Sequence, residues 1–189
     1  MEPRNRPLKD GARHGWKTLR SELKYRNPWI AVREDAVRYP DGTEGIYGVV
    51  EKGPGVCVVP VDEDGVTLLR QYRHTIDAEA WELPAGSIHA GEGEAAAAAR
   101  ELAEEAGLRA GKLERLGRFY TALGHENAEI IVYQASRLEK IPSRPQGDES
   151  ILEVRKLSWA ELRLWIRENR IACGISLAAL LCCLNAREP

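Results

Sequence analysis

Residues 86–108 of the chain, GSIHAGEGEAAAAARELAEEAGL, constrain the fold more than any other stretch. The three glycines among the first eight residues indicate a loop, and the alanine-rich run predicts a helix over residues 93–107 that ends at Gly107. At about 100° per residue, three carboxylates share one face of this helix, which we expect to be turned to solvent. They are Glu101, Glu104 and Glu105. The face predicted to pack against a sheet consists of Ala95, Ala98, Ala99, Leu102 and Ala106.

The grouping of acidic side chains on this helix has an energetic cost. Like charges at i,i+4, as in Glu101 and Glu105, destabilise a helix by roughly 0.2–0.5 kcal/mol, and anions near the C-terminal end oppose the helix dipole. The face is either an ordinary solvated acidic surface or a place where bound cations remove this conflict. Ligation by carboxylates alone selects hard ions, so the cations would be Mg²⁺ or Mn²⁺, which usually serve a phosphate substrate.

Alternating apolar residues and turn signals divide the rest of the chain. Residues 1–15 lack periodicity and are predicted to be a disordered tail. Residues 16–50 predict a small antiparallel sheet, because WIAVREDAV and IYGVV alternate on either side of a PDG turn. In residues 51–189, GVCVVPVDEDGVTLLRQYRH predicts a hairpin, GHEN separates two further strands, and two helices close the chain. This order indicates an α/β sandwich with a mixed sheet.

Composition and charge exclude several classes of function. The chain carries 27 basic and 29 acidic residues, a net charge of -2, so we predict no nucleic-acid-binding surface. The four cysteines lack metal-type spacing and suit a reducing cytoplasm. The longest apolar run, ISLAALLCCL at residues 175–184, is too short to span a bilayer, and the N-terminal residues lack an apolar leader. We therefore expect a cytoplasmic protein that does not contact membranes.

The spacing within residues 86–108 matches a known pattern. Every position of G-x5-E-x7-R-E-U-x-E-E-x-G-U is filled, where U is aliphatic, so the chain resembles the Nudix hydrolase family. The resemblance implies an α/β/α sandwich and hydrolysis of a nucleoside diphosphate linked to another moiety. It implies that the three glutamates of the helix hold divalent metal ions, Mg²⁺ or Mn²⁺, and take part in catalysis. It also implies an ion pair between Glu92 and Arg100 with a mainly structural role.

The sequence around this motif resembles one branch of the family, the ADP-ribose pyrophosphatases and nucleoside-diphosphate-sugar hydrolases. QYR, WELPAG and the C-terminal ISLAALL are similar to this branch, so the resemblance covers roughly residues 25–185. It implies that the Ala85 carbonyl ligates a metal, that Arg73 contacts the diphosphate and that Glu82 lines the site. The alternative interpretation of Arg73 is an exposed arginine on a strand. Trp81 is either a core anchor or a base-stacking residue.

The loop after the motif departs from that branch. Many ADP-ribose hydrolases resemble S-P-G-x-x-(D/N)-E there, with a glutamate that orients or activates water. This chain has ALGHENAE at residues 122–129, which places Ala128 at the glutamate position. Glu126 is the first candidate for the water-handling role and Glu129 the second, whereas His125 is either a substrate contact or an ordinary loop residue. Because of this departure, GDP-mannose and other nucleotide sugars remain candidate substrates beside ADP-ribose.

The resemblance predicts Mg²⁺-dependent hydrolysis of a nucleoside diphosphate sugar, ADP-ribose first, to a nucleoside monophosphate and a sugar phosphate. The alternatives are a nucleoside triphosphate or dinucleotide polyphosphate hydrolase and a non-catalytic nucleotide-binding module. The branch often forms homodimers through its N-terminal sheet, for which Trp29, Ile30 and Tyr47 are suited, and Trp29 is assigned to substrate binding. The alternative is that these residues only cover the sheet of their own domain.

Overall fold

A computed structural model describes residues 14–142 and 150–187. The predicted tail, residues 1–15, lies outside the described residues except for its last two, and so does most of the predicted polar loop at residues 141–150. The chain forms two compact units, one drawn from Met1–Gly53 and Tyr120–Glu129 and the other from Pro54–Phe119 and Ile130–Pro189. The strands are Lys17–Arg26 (β1), Ala31–Arg38 (β2), Glu44–Glu51 (β3), Gly55–Pro60 (β4), Gly65–Arg73 (β5), Ala78–Glu82 (β6), Ala85–Ser87 (β7), Leu108–Tyr120 (β8), Glu129–Lys140 (β9) and Ile151–Ser158 (β10), and the helices are Glu94–Ala106 (α1), Trp159–Arg167 (α2) and Gly174–Arg187 (α3).

The first unit contains a three-stranded antiparallel sheet in the order β1-β2-β3. The PDG signal makes the turn between β2 and β3, where the Tyr39 amide donates to the Thr43 carbonyl and Gly42 adopts a left-handed backbone with φ 88°. A glycine suits this position because a side chain there is strained. The predicted small N-terminal antiparallel sheet is confirmed.

The second unit contains two sheets, with strand orders β10-β5-β6 and β7-β4-β9-β8. In the four-stranded sheet β4 runs parallel to β9 and antiparallel to β7, so the predicted mixed sheet is confirmed. The predicted hairpin of β4 and β5 is wrong: the two strands lie in different sheets and meet only at a bridge between Val61 and Val66. All six residues of β4 are buried, and a strand buried on both faces needs covering layers and partners along both edges.

Two apolar clusters cover the faces of β4. Val56 and Val58 pack in the cluster that includes the buried alanines of α1. Cys57 and Val59 point the other way and pack in the cluster that includes α2 and α3. Successive strand residues face opposite sides, so helices lie on both faces of this sheet and the predicted α/β/α sandwich is confirmed.

Local capping signals set the ends of two helices. Gly107 ends α1 in the left-handed conformation, with φ 61° and ψ 38°. Ser158 caps α2, and its side chain and that of Glu161 form a reciprocal capping box. None of the four cysteines, all of which lie among the described residues, forms a disulfide bond. Among the described residues, no helix combines the length and apolar character needed to cross a bilayer.

Candidate active site

Helix α1 presents its carboxylates differently from the expected solvated face. Glu101 and Glu105 are 3% and 4% exposed, and only Glu104 is partly exposed. The buried apolar positions include Ala97, while Ala95 and Ala99 are exposed, so the predicted packing face is rotated. Since burying a charged carboxylate costs several kcal/mol unless it is compensated, these two side chains need hydrogen-bond donors.

Donors from the loop and the helix hold the three carboxylates. The Ala85 amide donates to Oε2 of Glu105 at 2.8 Å. Nη1 of Arg100 donates to Oε1 of Glu101 at 2.7 Å and to Oε2 of Glu104 at 3.2 Å. Each carboxylate therefore has a fixed direction, set by a charged or amide donor.

Gly86 explains how the Glu101 carboxylate reaches its place. A Cβ atom at residue 86 would lie 2.1 Å from Oε1 and 2.3 Å from Cδ of Glu101. Real Cβ atoms essentially never approach other atoms so closely. The first glycine of the loop leaves room for the carboxylate, which lies directly against its backbone and would be displaced by a side chain there.

The ion pair between Glu92 and Arg100 is confirmed. Nε and Nη2 of Arg100 donate to Oε1 and Oε2 of Glu92 at 2.9 and 3.0 Å, and Nη2 also donates to the Ser87 carbonyl at 2.9 Å. Hydrogen bonds from Arg100 and from the His89 amide lower the pKa of Glu92 to about 2. Because Arg100 also contacts two carboxylates of α1, this pair ties the loop to the acidic face.

Three contacts fix the segment Leu83–Ala85. The Leu83 amide donates to Oγ of Ser176 at 2.9 Å, and the Val58 amide donates to the Pro84 carbonyl at 2.8 Å. The Ala85 amide donates to Glu105, as described above. Elements α3, β4 and α1 each supply one of these contacts, so the segment is held from three directions.

Arg73 on β5 forms an ion pair with Glu82 on β6. Glu82 is buried and Arg73 is partly exposed. Nε of Arg73 lies 3.1 Å from both oxygens of Glu82, and Nη2 donates to Oε2 as well. Nε2 of Gln71 donates to the same oxygen at 3.3 Å. Hydrogen bonding to Glu82 raises the pKa of Arg73, and the charge of Glu105 adds to this. Arg73 thus keeps its charge beside the acidic face of α1.

Trp81 belongs to the core. Its ring packs edge-to-face on Trp165, with centroids 5.1 Å apart and an interplanar angle of 63°. Both rings lie in or against the apolar cluster beneath α2 and α3. Of the two alternatives for Trp81, the structure supports the core anchor.

The other predicted site residues lie in the first unit. Thr121 donates through its hydroxyl to Oε1 of Glu126 at 3.0 Å, and Nζ of Lys52 lies 3.9 Å from the same oxygen. Glu129 is the first residue of β9 and is partly buried. His125 is exposed, and Trp29 is 66% exposed in the turn between β1 and β2.

Backbone bonds hold the loop of Glu126 on β3. The Val50 amide donates to the His125 carbonyl at 2.8 Å, and the Asn127 amide donates to the Val50 carbonyl at 3.2 Å. The Tyr47 hydroxyl donates to the Gly124 carbonyl at 2.5 Å. The loop therefore behaves as an added edge of the N-terminal sheet.

The chemistry of the donors around α1 fits a hard divalent cation. Within residues 14–142 and 150–187, no three histidine, cysteine, aspartate or glutamate side chains are arranged as a ready coordination sphere. Arg100 and the Ala85 amide bond to the carboxylates of α1 instead. Carboxylate and carbonyl oxygens are nevertheless the ligands that Mg²⁺ and Mn²⁺ prefer. A cation shared by Glu101 and Glu105 would relieve the like-charge repulsion of this i,i+4 pair.

The sequence motifs assign no role to two residues of this region. Gln71 lies two residues before Arg73 on β5, and the period of a strand places both on one face, so the QYR pattern contains this signal. Ser176 lies 93 residues from Leu83 in the sequence. Only the three-dimensional structure brings Ser176 to the segment.

Comparison with known proteins identifies the family. A family model described as NUDIX domain matches residues 51–172, and one described as Nucleoside diphosphate sugar hydrolase N-terminal domain matches residues 16–50. An ADP-ribose pyrophosphatase of Mycobacterium tuberculosis is 34% identical over 175 residues, which cover 90% of this chain and 84% of that protein. A methanol dehydrogenase activator of Bacillus methanolicus is 29% identical, over 82% of this chain and 85% of that protein.

A solved structure supports the same fold. The crystal structure of an ADP compounds hydrolase superposes with a TM-score of 0.81 at 20% identity, covering 90% of this chain and 92% of that one. The family match includes the whole loop–helix that holds the buried carboxylates. This chain belongs to the Nudix family and is a pyrophosphatase, a hydrolase that acts on phosphorus-containing acid anhydrides.

Proposed function

We propose that this chain hydrolyses the pyrophosphate bond of nucleoside diphosphate sugars, with ADP-ribose as the first candidate substrate and Mg²⁺ or Mn²⁺ as the cofactor. The observation that carries the proposal is the buried pair Glu101 and Glu105, held against the backbone of Gly86 and Ala85. The match of residues 16–50 to a nucleoside diphosphate sugar hydrolase N-terminal domain supports this branch. The name of the mycobacterial relative supports ADP-ribose.

Four residues of the second unit would hold the cofactor: Glu101, Glu104 and Glu105 through their carboxylates and Ala85 through its carbonyl. When bound, a divalent cation neutralises charge on a diphosphate and lowers the pKa of bound water. The chain itself positions the carboxylates that would bind the cation. Glu105 is fixed by the Ala85 amide, and Gly86 leaves the room that Glu101 needs.

Arg73 would bind the diphosphate of the substrate. Glu82 engages one edge of its guanidinium, and the five N–H donors of an arginine leave others for phosphate oxygens. The Arg73 side chain is 42% exposed whereas that of Glu82 is 9% exposed. Arg73 is therefore suited to touch the substrate, and Glu82 is suited to orient Arg73.

Water activation is assigned to Glu126 or Glu129, as the sequence predicts. In the first unit Glu126 is oriented by Thr121 and faces the ammonium of Lys52. A positioned carboxylate can accept a proton from an attacking water. His125 and Trp29 remain predicted substrate contacts, and both side chains are exposed.

The test of the function is a substrate panel with Mg²⁺. ADP-ribose, GDP-mannose, ADP-glucose, UDP-glucose, dinucleotides and nucleoside triphosphates are incubated separately, and the products are identified by chromatography and mass spectrometry. We expect a nucleoside monophosphate and a sugar phosphate, with ADP-ribose giving the highest kcat/KM. Equal or faster turnover of triphosphates contradicts the proposal.

A regulatory role is the second candidate. It is favoured by the relative in Bacillus methanolicus that is named a methanol dehydrogenase activator. Such a role would be added to hydrolysis, so the substrate panel tests the hydrolase proposal independently of it. We propose a cytoplasmic location, which suits four cysteines that form no disulfide bond.

The assembly that we propose is a homodimer formed through the N-terminal sheet. The first unit exposes large apolar side chains, with Trp29 66% and Ile46 68% accessible. Exposed apolar surface of this kind would be covered in a homodimer. Light scattering at micromolar concentration should give twice the 21.1 kDa chain mass, and a strictly monomeric mass contradicts the proposal.

A further inference from the structure

A buried hydrogen bond joins the C-terminal helix to the segment before the acidic loop. Oγ of Ser176 accepts the amide proton of Leu83 at 2.9 Å, and both residues are 1% exposed. We propose that Ser176 is a positioning residue for the metal site, which it controls through the segment Leu83–Ala85. This inference rests on the proposed function, because the Ala85 carbonyl is a proposed metal ligand.

The segment has few backbone donors with which to fix its position. Pro84 has no amide proton, so only Leu83 and Ala85 can donate. The Leu83 amide donates to Ser176 and the Ala85 amide to Glu105. Each of the two donors is thus held by one side chain, and Ser176 supplies one of the two anchors.

Packing alone does not explain a serine at this position of α3. The buried residues around it on the helix, such as Ala179 and Leu180, contribute apolar surface to the core. A buried hydroxyl costs free energy unless it is hydrogen-bonded. The hydroxyl of Ser176 is therefore explained by its bond to Leu83, which lies two residues before the proposed ligand.

Loss of this hydroxyl would affect the metal site through the backbone. In Ser176→Ala the buried Leu83 amide loses its acceptor, and the segment relaxes away from the position that Val58 and Glu105 define. Removing a group that orients a metal ligand typically weakens metal affinity 10–100-fold. We expect at least a tenfold rise in the dissociation constant for Mn²⁺.

The experiment is a calorimetric titration of the intact protein with Mn²⁺ in the absence of substrate. Ser176→Thr keeps a hydroxyl and should bind Mn²⁺ within about threefold of the wild type. The matched control is Ser158→Ala, since Oγ of Ser158 also accepts a backbone amide proton, from Glu161 at 3.2 Å, but at the start of α2. This control should lose stability in urea, by about 1 kcal/mol for a helix cap, and keep its affinity for Mn²⁺.

The outcomes separate this inference from the proposed function. If the wild type binds no Mn²⁺, the proposed metal site fails and the role of Ser176 fails with it. If the wild type binds and Ser176→Ala binds equally well, the metal site stands and only the role of Ser176 is overturned. The same loss of affinity in Ser158→Ala also overturns that role, because general destabilisation then accounts for it.

Discussion

Replacing Gly86 with alanine would drive a methyl group into the carboxylate of Glu101. The added Cβ would lie 2.1 Å from Oε1 and 2.6 Å from Oε2, and ordinary contact begins near 3.4 Å. Gly86 pairs with Val56 in the sheet, so its backbone has little freedom to retreat. The carboxylate must therefore move by about 1.3 Å to restore contact distance.

The magnitude of the effect follows from this displacement. A misplacement of about 1 Å in a catalytic arrangement can lower the rate about 100-fold, which corresponds to about 2.7 kcal/mol of activation free energy. We expect Gly86→Ala to lower kcat/KM for ADP-ribose by about this factor and to weaken Mn²⁺ binding. Overpacking a buried site also costs about 1–3 kcal/mol of unfolding free energy, which urea denaturation measures.

The matched control for this substitution is Gly117→Ala. Gly117 lies in β8, and a Cβ there meets nothing within 4 Å. Its kcat/KM and urea midpoint should stay close to those of the wild type. If Gly86→Ala retains kcat/KM within threefold of the wild type, activity does not depend on the position of the Glu101 carboxylate against the loop.

Three further predictions concern charged residues. Glu105→Gln should lower kcat at saturating Mg²⁺ at least 100-fold, because the change removes a charged metal ligand, yet leave the urea midpoint near that of the wild type; a wild-type rate contradicts the ligand assignment. The pKa of Glu92 is about 2 when folded and 4.5 ordinarily, so this group stabilises the fold fully above pH 4.5 and loses its contribution as the pH falls toward 2. In Glu92→Gln the unfolding free energy should therefore fall less between pH 4.5 and pH 2 than it does in the wild type. An equal fall in both proteins would contradict the stabilising role of Glu92. Glu126→Gln and Glu129→Gln, measured separately, should show one large loss of kcat, on the order of 100-fold; if both variants keep the wild-type kcat, neither residue handles the water.

Local signals in the sequence predict much of the fold. The loop and helix at residues 86–108 and the PDG turn each depend on neighbours within a few positions. Such signals act within one segment of the backbone, so a short stretch of sequence is enough to predict the structure that they form. The pairing of β4 with β9 is different, because its partners are about 75 residues apart and the alternation of a strand does not name its neighbour. This is why the predicted hairpin is wrong.

In the candidate site, too, some features are predicted by local sequence and others depend on distant segments. Helical periodicity places Glu101, Glu104 and Glu105 on one face, and the structure agrees. Their burial depends on other elements: Ala85 supplies an amide, and Gly86 lets a side chain lie on its backbone. Periodicity within a helix carries no information about what covers it, so the expected solvated face is wrong for two of the three carboxylates.

The way the loop at Tyr120–Glu129 joins the N-terminal sheet bears on how such proteins evolve. The two family models divide the chain at residues 50 and 51, as though two modules had been joined end to end. The compact units do not follow that division, because Tyr120–Glu129 belongs with the first fifty residues and its backbone bonds to Val50. A recombination event at residue 50 would exchange the sheet without the loop that is matched to it. The sheet and the loop therefore depend on each other for their structure, and we expect chimaeras made at that boundary to regain stability only when Tyr120–Glu129 is transferred as well.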